Sequence, residues 1–150
     1  MTYQSRIPAD DEYLFKLGRA FYNYTYLEAI VVQTIAKVSV NGFESVPKGK
    51  PAGAIAKALK EAVDTAEPAL PAPLVKSLKD FRTHFATAIR WRNKLLHAHP
   101  YTTPDDQQRL MGGDHSWPFE QVDQAAQFFE EAAIEGSDIY HGQLKAARPD

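Results

Sequence analysis

Between residues 10 and 39 apolar side chains return every seven positions through four heptads, and this repeat constrains the fold more than any other feature of the chain. Leu14, Phe21 and Ile35 form one row, and Leu17, Tyr24, Val31 and Val38 form the other. Such spacing makes one long amphipathic helix whose apolar stripe must be buried against partner helices. Asp10 or Asp11 is its N-cap, with acids in the first turn where the helix dipole favours them. The missing member of the first row is Glu28, a carboxylate in the predicted seam.

Three further helical patterns supply those partners. Residues 41–51 are loop by their Gly, Pro and Asn content, and residues 52–66 form a shorter Ala-rich helix with Ile55, Leu59 and Val63 in line. After a proline-marked turn at 67–73, residues 74–98 place Leu74, Leu78, Phe81, Phe85, Ile89 and Leu96 on one face, and Pro100 stops the helix. Residues 117–143 make a fourth helix with Trp117 as anchor and Pro118 near its start. Phe119, Val122, Ala126, Phe129, Ala133 and either Ile139 or Tyr140 form its buried face, with Gly136 as an internal weak point. Within the connection 100–116, "TPDDQQRL" predicts a short helical turn capped by Thr103, and "MGGD" breaks it. No strand or internal repeat is recognised. The expected architecture is a single all-α domain over 1–150, with its core at about 10–143. It is an antiparallel bundle of four main helices with one short extra helical turn.

The chain has no cysteine, which removes disulfides, thiolate nucleophiles and cysteine zinc sites and fits a reducing, cytoplasmic setting. No signal peptide or membrane-spanning run is recognised. A formal charge of −2 gives no support to broad nucleic-acid binding, so any such binding must come from a local patch. The third helix holds Lys76, Lys79, Arg82, Arg90, Arg92 and Lys94 against Asp80 alone. The fourth holds Glu120, Asp123, Glu130, Glu131, Glu135 and Asp138, with no cation before Lys145. Either the two helices neutralise each other, or the basic surface serves a polyanion while the acidic helix is turned away.

Chemistry concentrates in "WRNKLLHAHP", residues 91–100, at the end of the third helix. Cations there would suit the helix dipole without any function. Arg92, four intervening residues and His97 also fit a simple spacing, as do Arg90/His97, Arg92/His99 and Arg109/His115, the last in a Gly-rich loop and therefore accidental. Only Arg92/His97 combines an asparagine after the arginine with a terminal position on the third helix. "RNKLLH" in this context resembles the R-x(4–6)-H motif of the HEPN superfamily of helical-bundle ribonucleases and nucleotide-binding domains. The long first helix "LGRAFYNYTYLEAIVVQTIA", the shorter second and the motif on the third resemble that superfamily as well.

The resemblance implies a metal-independent endoribonuclease without cofactors. The 2′-hydroxyl of RNA attacks the adjacent phosphate and leaves a 2′,3′-cyclic phosphate. His97 would act as acid or base, and Arg92 would hold the phosphate. Asn93, Glu28 and His99 are supporting residues, Glu28 by accepting hydrogen bonds from Arg92 or His97; Lys94 and Arg90 are cations for the RNA backbone. It further implies a homodimer with both motifs in one cleft and, in toxin or phage-defence members, an antitoxin protein as partner. The alternative is a non-catalytic HEPN module that binds nucleotide, RNA or another protein. On one straight helix Arg92 and His97 diverge by about 140°, so one chain is not expected to complete the site. HEPN toxins silenced by adenylylation carry a tyrosine two residues past the motif histidine; His99 stands there, so that regulation is not expected. His97 and His99 with His84 or His115 lack the Glu-x-x-His spacing of a di-iron bundle, and no metal site is assigned. Tyr22, Tyr24, Tyr26 and Trp91 are read as core or interface residues, and His84 and His141 as surface or core histidines.

Overall fold

Asp10 opens the first helix, α1 (Asp11–Val38), its carboxylate accepting from the backbone N–H of Glu12 at 2.9 Å and of Tyr13 at 3.3 Å. In the computed structural model, which describes residues 2–150, a 3₁₀ turn at Gly42–Ser45 leads to α2 (Ala52–Asp64) and α3 (Ala72–Leu96). Three strands follow: β1 (His99–Thr102), β2 (Gln108–Gly112) and β3 (His115–Trp117). They precede α4 (Phe119–Ile139), which runs on through a π turn, Tyr140–Leu144, into the short helix Lys145–Ala147. No helix among the described residues is long and apolar enough to cross a membrane.

The bundle is mainly helical, but the expected extra helical turn is a sheet of order β1-β2-β3, antiparallel throughout. Thr103 opens a tight turn instead of a helix. Its N–H donates to Gln107 O at 2.8 Å, its hydroxyl accepts from Gln107 N at 3.0 Å, and Asp106 takes a left-handed φ of 65°. Gly113, at φ 58°, makes the reversal from Gly112 to its partner His115. Two hairpins therefore occupy the segment, and the helix before them stops at Leu96 rather than continuing to residue 98.

Helix directions differ from an alternating bundle. Tyr13 meets Phe119, Lys16 pairs with Asp123, Tyr24 meets Phe129 and Ile30 faces Gly136, so α1 and α4 run parallel. Phe81 faces Gly136, His84 pairs with Glu135 and Trp91 meets Trp117, so α3 opposes α4. Residues 59–64 of α2 share one cleft with residues 78–82 of α3, and residues 56–60 share the next with 82–90, so α2 opposes α3 and shares the direction of α1. The 3₁₀ turn after α1 folds back on its last turns, with Phe43 beside Gln33, Ala36 and Lys37, so the chain reverses before α2 begins.

This arrangement rotates α1. Tyr13, Ala20 and Leu27 are buried where the heptad reading placed Leu14, Phe21 and Glu28, and Leu14 (47% exposed) and Phe21 (41%) are open; Ile35 is buried as expected, with Thr34 beside it. The second row holds Tyr24, Val31 and Val38 in the core, with Leu17 half-buried. On α3 Leu95 is buried and Leu96 is 44% exposed, reversing the expectation. The side of α1 bearing Lys16 and Asn23 is covered by α4. The opposite side carries Leu14, Phe21 and Glu28, and Leu14 and Phe21 are exposed there.

Gly136 is a packing requirement. A Cβ there would stand 2.6 Å from Phe81 Cε1 and 2.7 Å from Ile30 Cγ2, and the Phe81 ring is fully buried. Gly136→Ala is therefore expected to destabilise the bundle by about 1–3 kcal/mol, despite alanine's better helix propensity. Urea unfolding of the two proteins checks this; equal or greater stability in the variant would refute the close packing.

Candidate functional site

The core-facing stripe of α3 runs Leu74, Leu78, Phe81, Phe85, Ala88 and Leu95, all buried, and the position it skips is Arg92. Helical geometry thus turns a guanidinium toward the bundle interior, where it is half-buried. Its central carbon lies 5.3 Å from the Tyr24 ring centroid, and Nη1 donates to Asn93 Oδ1 at 2.9 Å. Arg92 Nε is buried and makes no hydrogen bond among the described residues. Tyr24 packs edge-on against Phe129 at 5.4 Å and donates its hydroxyl to Glu28 Oε2 at 2.9 Å. Arg92, Asn93, Tyr24 and Glu28 form one constellation.

Glu28 accordingly accepts from Tyr24, whereas hydrogen bonds from Arg92 or His97 were expected. Tyr24 is the residue that sequence reasoning assigned only to packing. Its signal was the i, i+4 spacing to Glu28, which puts phenol and carboxylate on one helix face.

His97 is the C-cap of α3, at φ −91° and ψ 2°. Its backbone N–H donates to Asn93 O at 3.0 Å, and its side chain is exposed, without a hydrogen-bond partner among the described residues. Because α3 stays regular to Leu96, the angular divergence of Arg92 and His97 persists, and the two do not meet within the chain. His99 lies exposed in β1 opposite Met111, outside the constellation. Lys94 is exposed with its ammonium 5.6 Å from the Trp91 ring, and Arg90 donates to Thr87 Oγ1 at 3.1 Å.

Arg109 and His115 are both framework residues. The Arg109 guanidinium lies 4.7 Å from the Tyr13 ring and 4.1 Å from that of Phe119, and the residue is buried. His115 packs on Trp117 at 4.5 Å and on Trp91 at 5.5 Å. Tyr13 Oη accepts from Leu110 N at 3.1 Å and donates to Trp117 O at 2.5 Å, so the sheet is fastened beside the end of α3. Of the other histidines, His84 pairs with Glu135 and His141 is exposed. Among the described residues no group of three or more His, Asp or Glu could hold a metal ion.

Comparison with family models, with curated proteins and with solved structures gave no match. What the constellation can do follows from its own chemistry. A guanidinium held 5.3 Å over an aromatic ring, with neutral Asn93 beside it and no carboxylate at ion-pair distance among the described residues, is suited to an anion.

Burial raises the Tyr24 hydroxyl pKa, with the charge of Glu28 and the hydrogen bond to it adding to the effect; burial raises Tyr13 as well. Unfolded tyrosines ionise near pH 10. Above that pH the folded state keeps protons that the unfolded state has lost, so this contribution is complete below about pH 10 and falls as pH rises. Urea unfolding is therefore expected to show stability declining from about pH 10 upward, more steeply in wild type than in Tyr24→Phe. Identical alkaline limbs would refute the assignment.

Proposed function

We propose that this chain is a HEPN-like, metal-independent endoribonuclease that works as a homodimer. Arg92 of one copy and His97 of the other address the same phosphate. The observation that carries this reading is the setting of Arg92. A half-buried cation is costly unless something neutralises it. Here its immediate partners are a phenol ring and an amide, leaving its charge for a phosphate.

The uncovered side of the bundle supports the dimer. Leu14 and Phe21 of α1 and Leu96 of α3 are exposed, Leu96 one turn beyond Arg92 on α3 and Phe21 one turn before Tyr24 on α1. Three open apolar side chains on the two helices that hold the guanidinium suit a second copy better than water. His97, outward at the helix end, then reaches a neighbour's phosphate more readily than its own. In this mechanism His97 accepts the 2′-hydroxyl proton as O2′ attacks phosphorus. The P–O5′ bond breaks, O5′ takes a proton from water, and the products are a 2′,3′-cyclic phosphate and a 5′-hydroxyl. Arg92 stabilises the negative charge gathering on the non-bridging oxygens.

The test is cleavage of RNA in EDTA by wild type, Arg92→Ala and His97→Ala. Loss in both variants, with wild type active, supports the reading; an inactive wild-type protein whose expression is harmless to cells overturns it. Growth inhibition that either substitution relieves would extend it to a toxin or phage-defence effector restrained by an antitoxin protein. A second reading, a non-catalytic module that binds RNA or nucleotide, draws on the separation of Arg92 from His97 within one chain. It requires that His97→Ala leave binding intact while Arg92→Ala weakens it.

A further inference from the structure

Two clefts lie end to end between α2 and α3. One, of about 300 Å³, is lined by Lys60, Asp64, Lys79 and Arg82 over Leu59 and Leu78. The other, of about 370 Å³, continues from the same Lys60 and Arg82 to Lys57, Thr83, Thr87 and Arg90. Asp64 is the one acid lining either cleft, and it is held by Lys60. Lys79, Arg82 and Arg90 have no carboxylate at ion-pair distance among the described residues. The acids of α4 do not neutralise them either. The hydrogen bond that joins α3 to α4 side chain to side chain among the described residues is His84–Glu135, while Asp123 of α4 pairs with Lys16 of α1. The charge asymmetry of the sequence therefore survives folding as a basic groove on one side of the molecule.

The groove also points somewhere. Lys79, Arg82, Ala86, Arg90, Asn93 and His97 succeed one another at steps of three or four residues, so they follow one face of α3 to its end. From Arg82 to His97 that face runs roughly 22 Å.

We propose that the α2/α3 groove is a binding track for the sugar–phosphate backbone of single-stranded RNA. Lys79 and Arg82 grip its phosphates, and Arg90 passes the strand toward Asn93 and His97. The identity of the polyanion rests on the ribonuclease reading. The threonine hydroxyls of Thr83 and Thr87 offer neutral donors along the track, and the apolar floor lets a narrow strand enter where a rigid duplex would not.

The experiment measures fluorescence anisotropy of a short labelled 2′-O-methyl oligoribonucleotide, which lacks the attacking hydroxyl and cannot be cleaved, across a salt series. Wild type is expected to bind. Lys79→Ala combined with Arg82→Ala should weaken binding roughly tenfold and reduce the slope of log affinity against log salt by about 1.4, two single-strand phosphate contacts. Asp64→Asn should tighten binding, a gain that a misfolded variant cannot imitate. No binding by wild type, or an unchanged affinity and salt slope in the double variant, would overturn the track. Cleavage of the unmodified RNA is followed in parallel: groove-dependent binding without cleavage removes the catalytic reading and leaves the track, and cleavage indifferent to Lys79 and Arg82 does the reverse.

Discussion

Arg92→Ala and His97→Ala are each expected to abolish RNA cleavage in EDTA, and their mixture is expected to recover it in part. Losing a positioned acid–base group costs roughly 10²–10⁴-fold in rate, and losing a donor aimed at developing charge costs roughly 10²–10³-fold. The mixture carries the sharper information. If a site takes Arg92 from one copy and His97 from the other, a heterodimer of the two variants holds one intact site and one doubly damaged site. Random pairing makes half the dimers mixed, so activity should return to about a quarter of wild type. If each chain supplied both residues to its own site, mixing would recover nothing. Recovery fits a guanidinium turned into the bundle and an imidazole turned out of it, on a helix that stays regular to Leu96. Failure to recover, with both variants folded and dimeric, would end the composite-site proposal while leaving the catalytic assignment open to the single-variant assays.

The largest stability effect is expected at Trp117→Ala, about 3–5 kcal/mol by urea unfolding, a large share of the 5–15 kcal/mol typical of a domain. The indole is fully buried against Trp91 at 5.7 Å and His115 at 4.5 Å, and the Trp117 carbonyl receives the Tyr13 hydroxyl. Removing it loosens the joint where α3, the sheet and the start of α4 meet, next to the His97 end of the helix. Trp117→Phe should cost much less, because the indole N–H it deletes has no hydrogen-bond partner among the described residues. Met111→Ala, on the same sheet but 44% exposed, should stay within about 0.5 kcal/mol. A Trp117→Ala cost no greater than that of Met111→Ala would mean the sheet does not brace the bundle.

The helices were legible because each carries a long apolar period that local geometry enforces: α1 needed only its seven-residue rows and Asp10, and α3 its run from Leu74 to Phe85. The sheet was not. Its strands are three to five residues long, too short to establish alternation, and Pro104 after Thr103 suggests a helix start as readily as a turn. The overlooked sign was "GGD" between "QRLM" and "HSW", a glycine-rich reversal flanked by strand-sized pieces. The rotation of α1 was also hidden. Rows offset by one residue, Leu14/Phe21 or Tyr13/Ala20, are nearly equivalent in sequence, and the choice belongs to the neighbours.

The candidate site divides along the same line. The order of residues on α3 already placed Arg92 beside Asn93 and one turn and a half from His97, because helical spacing is local. Which way Arg92 faces depends on the whole stripe from Leu74 to Leu95 being buried together. That Tyr24 lies under its guanidinium depends on α1 and α3 packing across the bundle, and no local pattern encodes that contact. The sequence by itself determined four helices, their approximate bounds and which residues stand at the end of the third. Tertiary structure alone decided their directions, the exposure of Leu14 and Phe21 and the partners of Arg92. Helix formation is a contest of neighbouring residues, whereas packing is settled by side chains that sequence leaves far apart.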